Sequence, residues 1–226
     1  MATAAQVGRD IYRGVTKTVI YRRLKKLLSM KYLSRGFHFD GQRAVSVYSL
    51  SKRGLGKFIF DKGTDGIVKQ AMSNSVEHDL ILNDIRHLFM QKGQVKDYLT
   101  ENTMAALGYF RSKGIFETSK KIRSDATVLW EKNDQTYRMA LEYEHSLKYR
   151  HRYNLLFGSY YLEYDIDGVF YICRDKKILK KVCEVEKRHH RGKRGKVFFT
   201  TLDELFSGRK ALSFTSSVGG WSITVS

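Results

Sequence analysis

The stretch RSDATVLWEKNDQTYRMALEYEHSLKYRHRY, residues 123–153, gathers the side chains best suited to chemistry. Asp125 opens an apolar run, a polar break follows at Asn133-Asp134, and a second apolar run ends in Glu142, Tyr143 and Glu144. Successive strand side chains point to opposite faces, so Glu142 and Glu144 share one face. If the two runs pair as a hairpin, Asp125 approaches that face from the neighbouring strand. Carboxylates gathered in this way suit Mg²⁺ or Mn²⁺ held beside a phosphate. Glu142, behind Met139-Ala140-Leu141, is expected to be partly buried, which is costly without a cation or donors. Lys148 and Arg152 follow at steps of four, the spacing of one helix face, where both can meet phosphate. The structural alternatives are ion pairs of Asp125 with Arg123 or Lys121 and of Glu144 with Lys148 or Arg152, and a solvated helix face for the two cations.

Positioning these groups takes a particular set of elements. Paired strands are expected over about 121–130 and 137–143, turning at Asn133-Asp134, with a helix over about 146–161 that would carry Lys148. VFYICR, residues 169–174, reads as a buried strand, and KKILKKVCEVEKRHH as a helix. The basic loop RGKRGK, the strand KVFFTT and a short helical turn at LDELF follow. From Ser207 the chain is Ser/Gly-rich with a late apolar WSITV, either an edge strand or a loose tail. Upstream, VEHDLILNDIRHLFMQKG places Val76, Leu80, Ile81, Ile85, Leu88 and Phe89 on one helical face. His78 sits in its first turn between Glu77 and Asp79, either of which can add a ligand. TENTMAALGYF and GIFETSKKI leave another strand and connections open. The order helix, strands, helix, strand, helix is that of an α/β sandwich, a mixed sheet flanked by helices.

The amino-terminal segment is different in kind. Residues 1–60 hold thirteen Lys/Arg against two acids, Asp10 and Asp40, a local charge of +11. TAAQVGRDIY reads as a short helix broken by Gly14. Thr16 is placed to cap a second helix, about 17–30, whose Val19, Ile20, Leu24, Leu27 and Leu28 recur at helical spacing. Its other face carries Lys17, Tyr21, Arg22, Lys25 and Lys26. A short helix, a tight turn and a basic second helix make a helix-turn-helix. RGFHFDGQRAVSVYSLS adds a hairpin turning at Asp40-Gly41, a wing with Arg35, His38 and Arg43 near its tip. A winged helix ordinarily has one more helix in front. The expectation is that this helix is missing or that another segment fills its place. KGTDGIVKQAMSNS, residues 62–75, reads as a linker.

The whole chain has 226 residues, 42% hydrophobic, with a net charge of +18. That charge is unusual for an enzyme of small neutral substrates and suggests a polyanionic partner, most simply nucleic acid. Two cysteines, Cys173 and Cys183, are too few for a disulfide framework or a zinc cluster, and a reduced cytoplasm is the expected compartment. No apolar run approaches the ~20 residues of a membrane span. No strand offers the His-hydrophobic-His of HUH-type relaxases, since only His189 and His190 are neighbours, and no CxxC of a zinc deaminase exists. Proline is absent.

SD…ALEYEHSLKYRHRYNLLFGSYY, with HDLILNDIR upstream, resembles the MobC-type plasmid relaxases and related replication-relaxation proteins. These join a winged helix to a divergent PD-(D/E)xK-like nuclease domain. The resemblance implies a winged helix-turn-helix over 1–60, a linker over 61–75, a restriction-endonuclease-like domain over 76–206 and a tail over 207–226. It matches Asp125 to the first-strand acid and Glu142 to the second, with Glu144 standing where lysine is usual and Lys148 able to take that role. It makes His78 a further catalytic candidate. The implied activity is metal-dependent nicking of double- or single-stranded DNA at the transfer origin of a mobilisable plasmid or integrated element. Mg²⁺ or Mn²⁺ would be bound by Asp125, Glu142 and Glu144. Thr16, Lys17, Thr18, Tyr21, Arg22, Lys25, Arg35, Arg43 and Arg152 would contact DNA. A monomer or dimer is expected, with other transfer proteins such as a coupling protein as further partners and no membrane. The alternatives are an inactive DNA-binding accessory of replication or transfer, and a winged-helix transcriptional regulator.

Overall fold

In the computed structural model, residues 1–57, 75–107, 117–190, 195–208 and 210–226 are described. The expected linker over 61–75, apart from Ser75, and the first four residues of the basic loop lie outside them. The chain divides into two compact units, Met1–His87 and Leu88–Ser226.

In the first unit β1 (Ala2–Thr3) leads into α1 (Ala4–Asp10) and α2 (Lys17–Ser29), followed by β2 (Leu33–Asp40), β3 (Arg43–Leu50) and α3 (Lys52–Leu55). Thr3 and Gln6 cap the first helix reciprocally, each side chain bonding the other's backbone N–H. Gly14, at φ +74°, turns the chain between the helices. The apolar stripe of α2 buries Ile20 and Leu24 against Tyr48, with Val7, Leu28 and Leu33 packed around them. The three strands pair antiparallel in the order β1-β3-β2. The hairpin turns one residue later than expected. Asp40 pairs with Arg43 inside the ladder, leaving Gly41-Gln42 as the loop. Only Gly41 has a positive φ (+60°), the pattern of a II′ turn with glycine first.

The opening turns of α4 (Val76–Met90) also belong to this unit. Buried Gln6 donates to the Leu80 carbonyl (2.8 Å) and to Asp84 Oδ1 (3.0 Å). Arg9 bonds the same carboxylate at 2.5 Å, and His87 Nδ1 lies 2.8 Å from Asp10 Oδ1. α4 is thus fastened along α1 by side chains.

The second unit is mixed α/β around a curled seven-stranded sheet, ordered β10-β9-β8-β7-β6-β5-β4. β4 (Val95–Thr100), β5 (Ala126–Lys132) and β6 (Gln135–Glu144) form an antiparallel meander, with α5 (Glu101–Leu107) and α6 (Glu117–Ile122) between the first two strands. α7 (Arg150–Leu162) then crosses to β7 (Gly168–Cys173), parallel to β6, and α8 (Lys176–His190) crosses to β8 (Val197–Thr201), parallel to β7. After α9 (Leu202–Leu205), β9 (Leu212–Ser216) and β10 (Ser222–Val225) complete the sheet antiparallel. The tail from Ser207 is therefore a hairpin of the sheet. The Asn133-Asp134 turn is where expected, both residues at positive φ as a I′ turn demands.

Two expectations are corrected. The first paired strand begins at Ala126, because Lys121 and Ile122 end α6 (Glu117–Ile122) and Arg123 turns the chain at φ +62°. The helix expected from Ser146 begins at Arg150, so Lys148 lies in the connection before α7. The first turn there carries Arg150 and Arg152 and no acid, which the positive end of a helix dipole disfavours. The Lys148 N–H is instead taken by Tyr153 Oη at 2.9 Å, holding the segment extended.

One face of the sheet packs Ala140, Val169, Tyr171 and Phe199 against the stripe Tyr153, Phe157, Tyr160 and Tyr161 of α7 and against Ile178 and Val182 of α8. The other face closes on rings: Phe89 lies 5.5 Å from Phe170 and 6.1 Å from Phe214, and Phe170 lies 4.6 Å from Phe214. The sheet curls until its edges approach. Gln94, before β4, donates its N–H to the Ser226 carbonyl (3.2 Å) and accepts the Ser226 N–H at Oε1 (3.0 Å).

Candidate functional site

Asp125, Glu142 and Glu144 come together on the sheet face under α7. The register Ala126↔Leu141 puts Asp125 directly opposite Glu142, one step beyond the ladder. Asp125 Oδ2 accepts the Tyr143 N–H at 2.8 Å, fixing the carboxylate across the strands. Glu142 Oε1 accepts the hydroxyl of Tyr160, and Tyr160 Oη lies 2.6 Å from Ser124 Oγ. Glu144, only 7% exposed, accepts Tyr171 Oη at 3.0 Å through Oε2 and lies 3.6 Å from Lys148 Nζ through Oε1.

The electrostatics follow from this crowding. Glu142 keeps a partial opening to solvent, yet its carboxyl is enclosed by side chains. Burial pushes its pKa well above the ordinary carboxylate range, and the Asp125 charge adds to the rise. The Tyr160 hydrogen bond and Arg152 work the other way, while Glu144 reinforces the rise. Burial likewise raises the Tyr160 and Tyr171 hydroxyls, each further opposed to ionisation by its glutamate neighbours. These tyrosines are donors that hold the carboxylates. Neither is a poised nucleophile.

Among the described residues, no group of three or more His, Cys, Asp or Glu side chains is arranged to hold a metal ion. The donor set nevertheless suits a hard divalent cation in kind. Mg²⁺ is ordinarily held by one or two carboxylates, with the remaining positions filled by water and phosphate. Asp125 and Glu142 supply that pair, and their mutual repulsion is what a cation relieves. Both Glu144 oxygens face other partners, Tyr171 and Lys148.

Lys148 is half-buried and Arg152, on the first turn of α7, is exposed. His78 lies in the first unit, its N–H bonded to Ser75 Oγ, whereas the carboxylate cluster is built from the second. The DNA-contact candidates of the first unit, Thr16, Lys17, Thr18, Tyr21, Arg22 and Lys25, are all exposed along α2, as are Arg35 and Arg43 on the hairpin. Thr16 is the cap residue of α2 but makes no side-chain capping bond.

Sequence reasoning missed Ser124, Tyr160 and Tyr171. A signal was present. The buried stripe of α7 is built of Tyr153, Tyr160 and Tyr161 where leucine would pack as well, and Tyr171 interrupts the apolar β7. Buried phenols need polar partners, and a carboxylate-bearing strand supplies them. No protein-family model, curated protein or solved structure matches the chain.

Proposed function

We propose that the protein is a DNA relaxase or nickase that binds and nicks the transfer origin of a mobilisable plasmid or integrated element, working in the cytoplasm. The observation that carries this reading is the pair Asp125–Glu142, opposite one another just beyond the end of the β5–β6 ladder, with Glu144 and the Lys148 ammonium beside it. The meander β4-β5-β6, crossover α7 and parallel β7 support a PD-(D/E)xK-like core, with Asp125 just ahead of β5 and Glu142 and Glu144 on β6. The exposed basic face of α2 and the β2–β3 hairpin support a winged helix for the first unit.

In this reading α2 lies in the major groove, its Lys and Arg side chains positioning the protein on phosphates. Asp125 and Glu142 would hold Mg²⁺ or Mn²⁺, which when bound polarises the scissile phosphate and lowers the pKa of its water. Tyr160 and the Tyr143 N–H fix the two carboxylates in place. Lys148, ahead of α7, stabilises the charge that develops on the phosphate.

A second reading is favoured by one observation. Glu144 stands at the position of the usual lysine and is itself engaged by Tyr171 and Lys148. The protein would then be a DNA-binding accessory of replication or transfer with an inactive nuclease fold. Conversion of a supercoiled plasmid carrying the origin to open circles separates the two. Nicking with Mg²⁺ or Mn²⁺, absent with EDTA and abolished in Asp125→Asn and Glu142→Gln, supports the relaxase. Tight binding without nicking under either metal selects the accessory protein.

A further inference from the structure

We infer that the β2–β3 hairpin carries a stacking site for unpaired bases of single-stranded DNA, built from Phe37 and Phe39, an inference that rests on the nucleic-acid reading above. Phenylalanine is ordinarily a core residue, yet Phe37 is 58% and Phe39 69% exposed. They sit at i and i+2 of one strand, so both rings stand on the same face. Across the ladder they meet Ser46 and Ala44, too small to cover an aromatic ring.

The spacing matches a nucleobase. Residues two apart on a strand are separated by about 6.8 Å. That is twice the ~3.4 Å rise of stacked bases, so one base fits between the two rings. Arg35 continues the same face, its guanidinium 5.3 Å from the Phe37 ring centroid. It is placed both to stack and to meet a backbone phosphate. Aromatic rings beside cations on a strongly basic unit fit a single strand, whose bases are free to stack, better than an uncharged protein surface. A nickase needs such a site, because melted strand must be kept from re-pairing.

The test uses the full chain and a short fluorescent oligothymidylate, with the oligouridylate and abasic strands of equal length and the equivalent duplex as controls. Phe37→Ala and Phe39→Ala are each expected to weaken oligothymidylate binding about tenfold, with thermal stability unchanged because both rings are exposed. The slope of log affinity against log salt stays as in the unsubstituted chain, whereas Arg35→Ala lowers it. The abasic strand should bind the intact chain as weakly as the normal strand binds the double variant. Preference for oligouridylate over oligothymidylate would move the ligand to RNA and overturn the assignment to DNA. Equal binding by the double variant and the unsubstituted chain would refute the stacking site while leaving the DNA reading intact. Loss of self-association in sedimentation, with DNA binding unaltered, would assign the rings to a second copy of the chain instead. Failure of the unsubstituted chain to bind either strand or duplex would remove the DNA reading itself.

Discussion

Glu142→Gln should stabilise the fold while abolishing cleavage. Glu142 is enclosed beside Asp125, with Tyr160 as its hydroxyl donor, and burial is the largest of the effects raising its pKa. A carboxyl that holds its proton more tightly when folded contributes its full stability below the unfolded value, near 4.5. That contribution is lost as pH rises towards the folded value. At pH 7 the loss cannot exceed the work of carrying a pKa from 4.5 up to 7, about 3 kcal/mol. Glutamine has the same shape, still accepts the Tyr160 hydroxyl at its amide oxygen, and never ionises. The variant should therefore be more stable at pH 7, by no more than about 3 kcal/mol, and nearly indistinguishable at pH 5. Urea unfolding followed by tryptophan fluorescence, in EDTA at both pH values, measures the difference. A glutamine variant less stable than the unsubstituted chain at both pH values would refute the argument, because the carboxylate would then be a structural asset.

Other substitutions probe the parts separately. Tyr160→Phe removes the hydroxyl between Ser124 and Glu142 and should cost about 1–2 kcal/mol in denaturant unfolding. Gln6→Ala removes both bonds to α4 and leaves the Leu80 carbonyl a partner short, for a loss of about 1–2 kcal/mol in the same assay. Desolvation opposes ionisation of Asp10, but the Arg9 hydrogen bond and charge outweigh it and hold its carboxyl below the usual 3.8. The stability it adds is present above 3.8 and lost as pH falls through the depressed value, so acid-unfolding curves of Asp10→Asn and the unsubstituted chain should converge only there. Arg22→Ala or Lys25→Ala should weaken DNA binding alike across sequences, read by fluorescence anisotropy. Each should also lower the salt slope by about one unit for every phosphate it no longer neutralises.

What could be read from the sequence was local. α2 and α8 declare themselves by apolar residues at helical spacing, and Asn133-Asp134 declares its turn because few other pairs accept positive φ twice. The strand alternation that puts Glu142 and Glu144 on one face, with Asp125 across from them, was readable for the same reason. β4 was hidden because VKDYLT alternates poorly, and the short α6 because ETSKKI has no apolar period. Lys148 was misplaced because its spacing to Arg152 is helical while the bond that decides the matter, to Tyr153 Oη, is a tertiary one. The tyrosine donors were missed for a similar reason, since each acts on a residue of another element. The meeting of the sheet's edges was also unreadable, since the bonds between Gln94 and Ser226 join residues far apart in sequence.

That clasp bears on how the second unit is assembled. It joins residues 132 apart in sequence, so the entropy of closing the intervening chain must be met before the clasp gives anything back. The β5–β6 hairpin, joined by the two-residue turn at Asn133-Asp134, can form early, and the other strands can add to it, β7 and β8 through α7 and α8. The seam between the first and last strands should close last and open first. Amide hydrogen exchange should find the Gln94 and Ser226 protons exchanging well ahead of those of β7, and equal protection along the seam and the central strand would contradict that order.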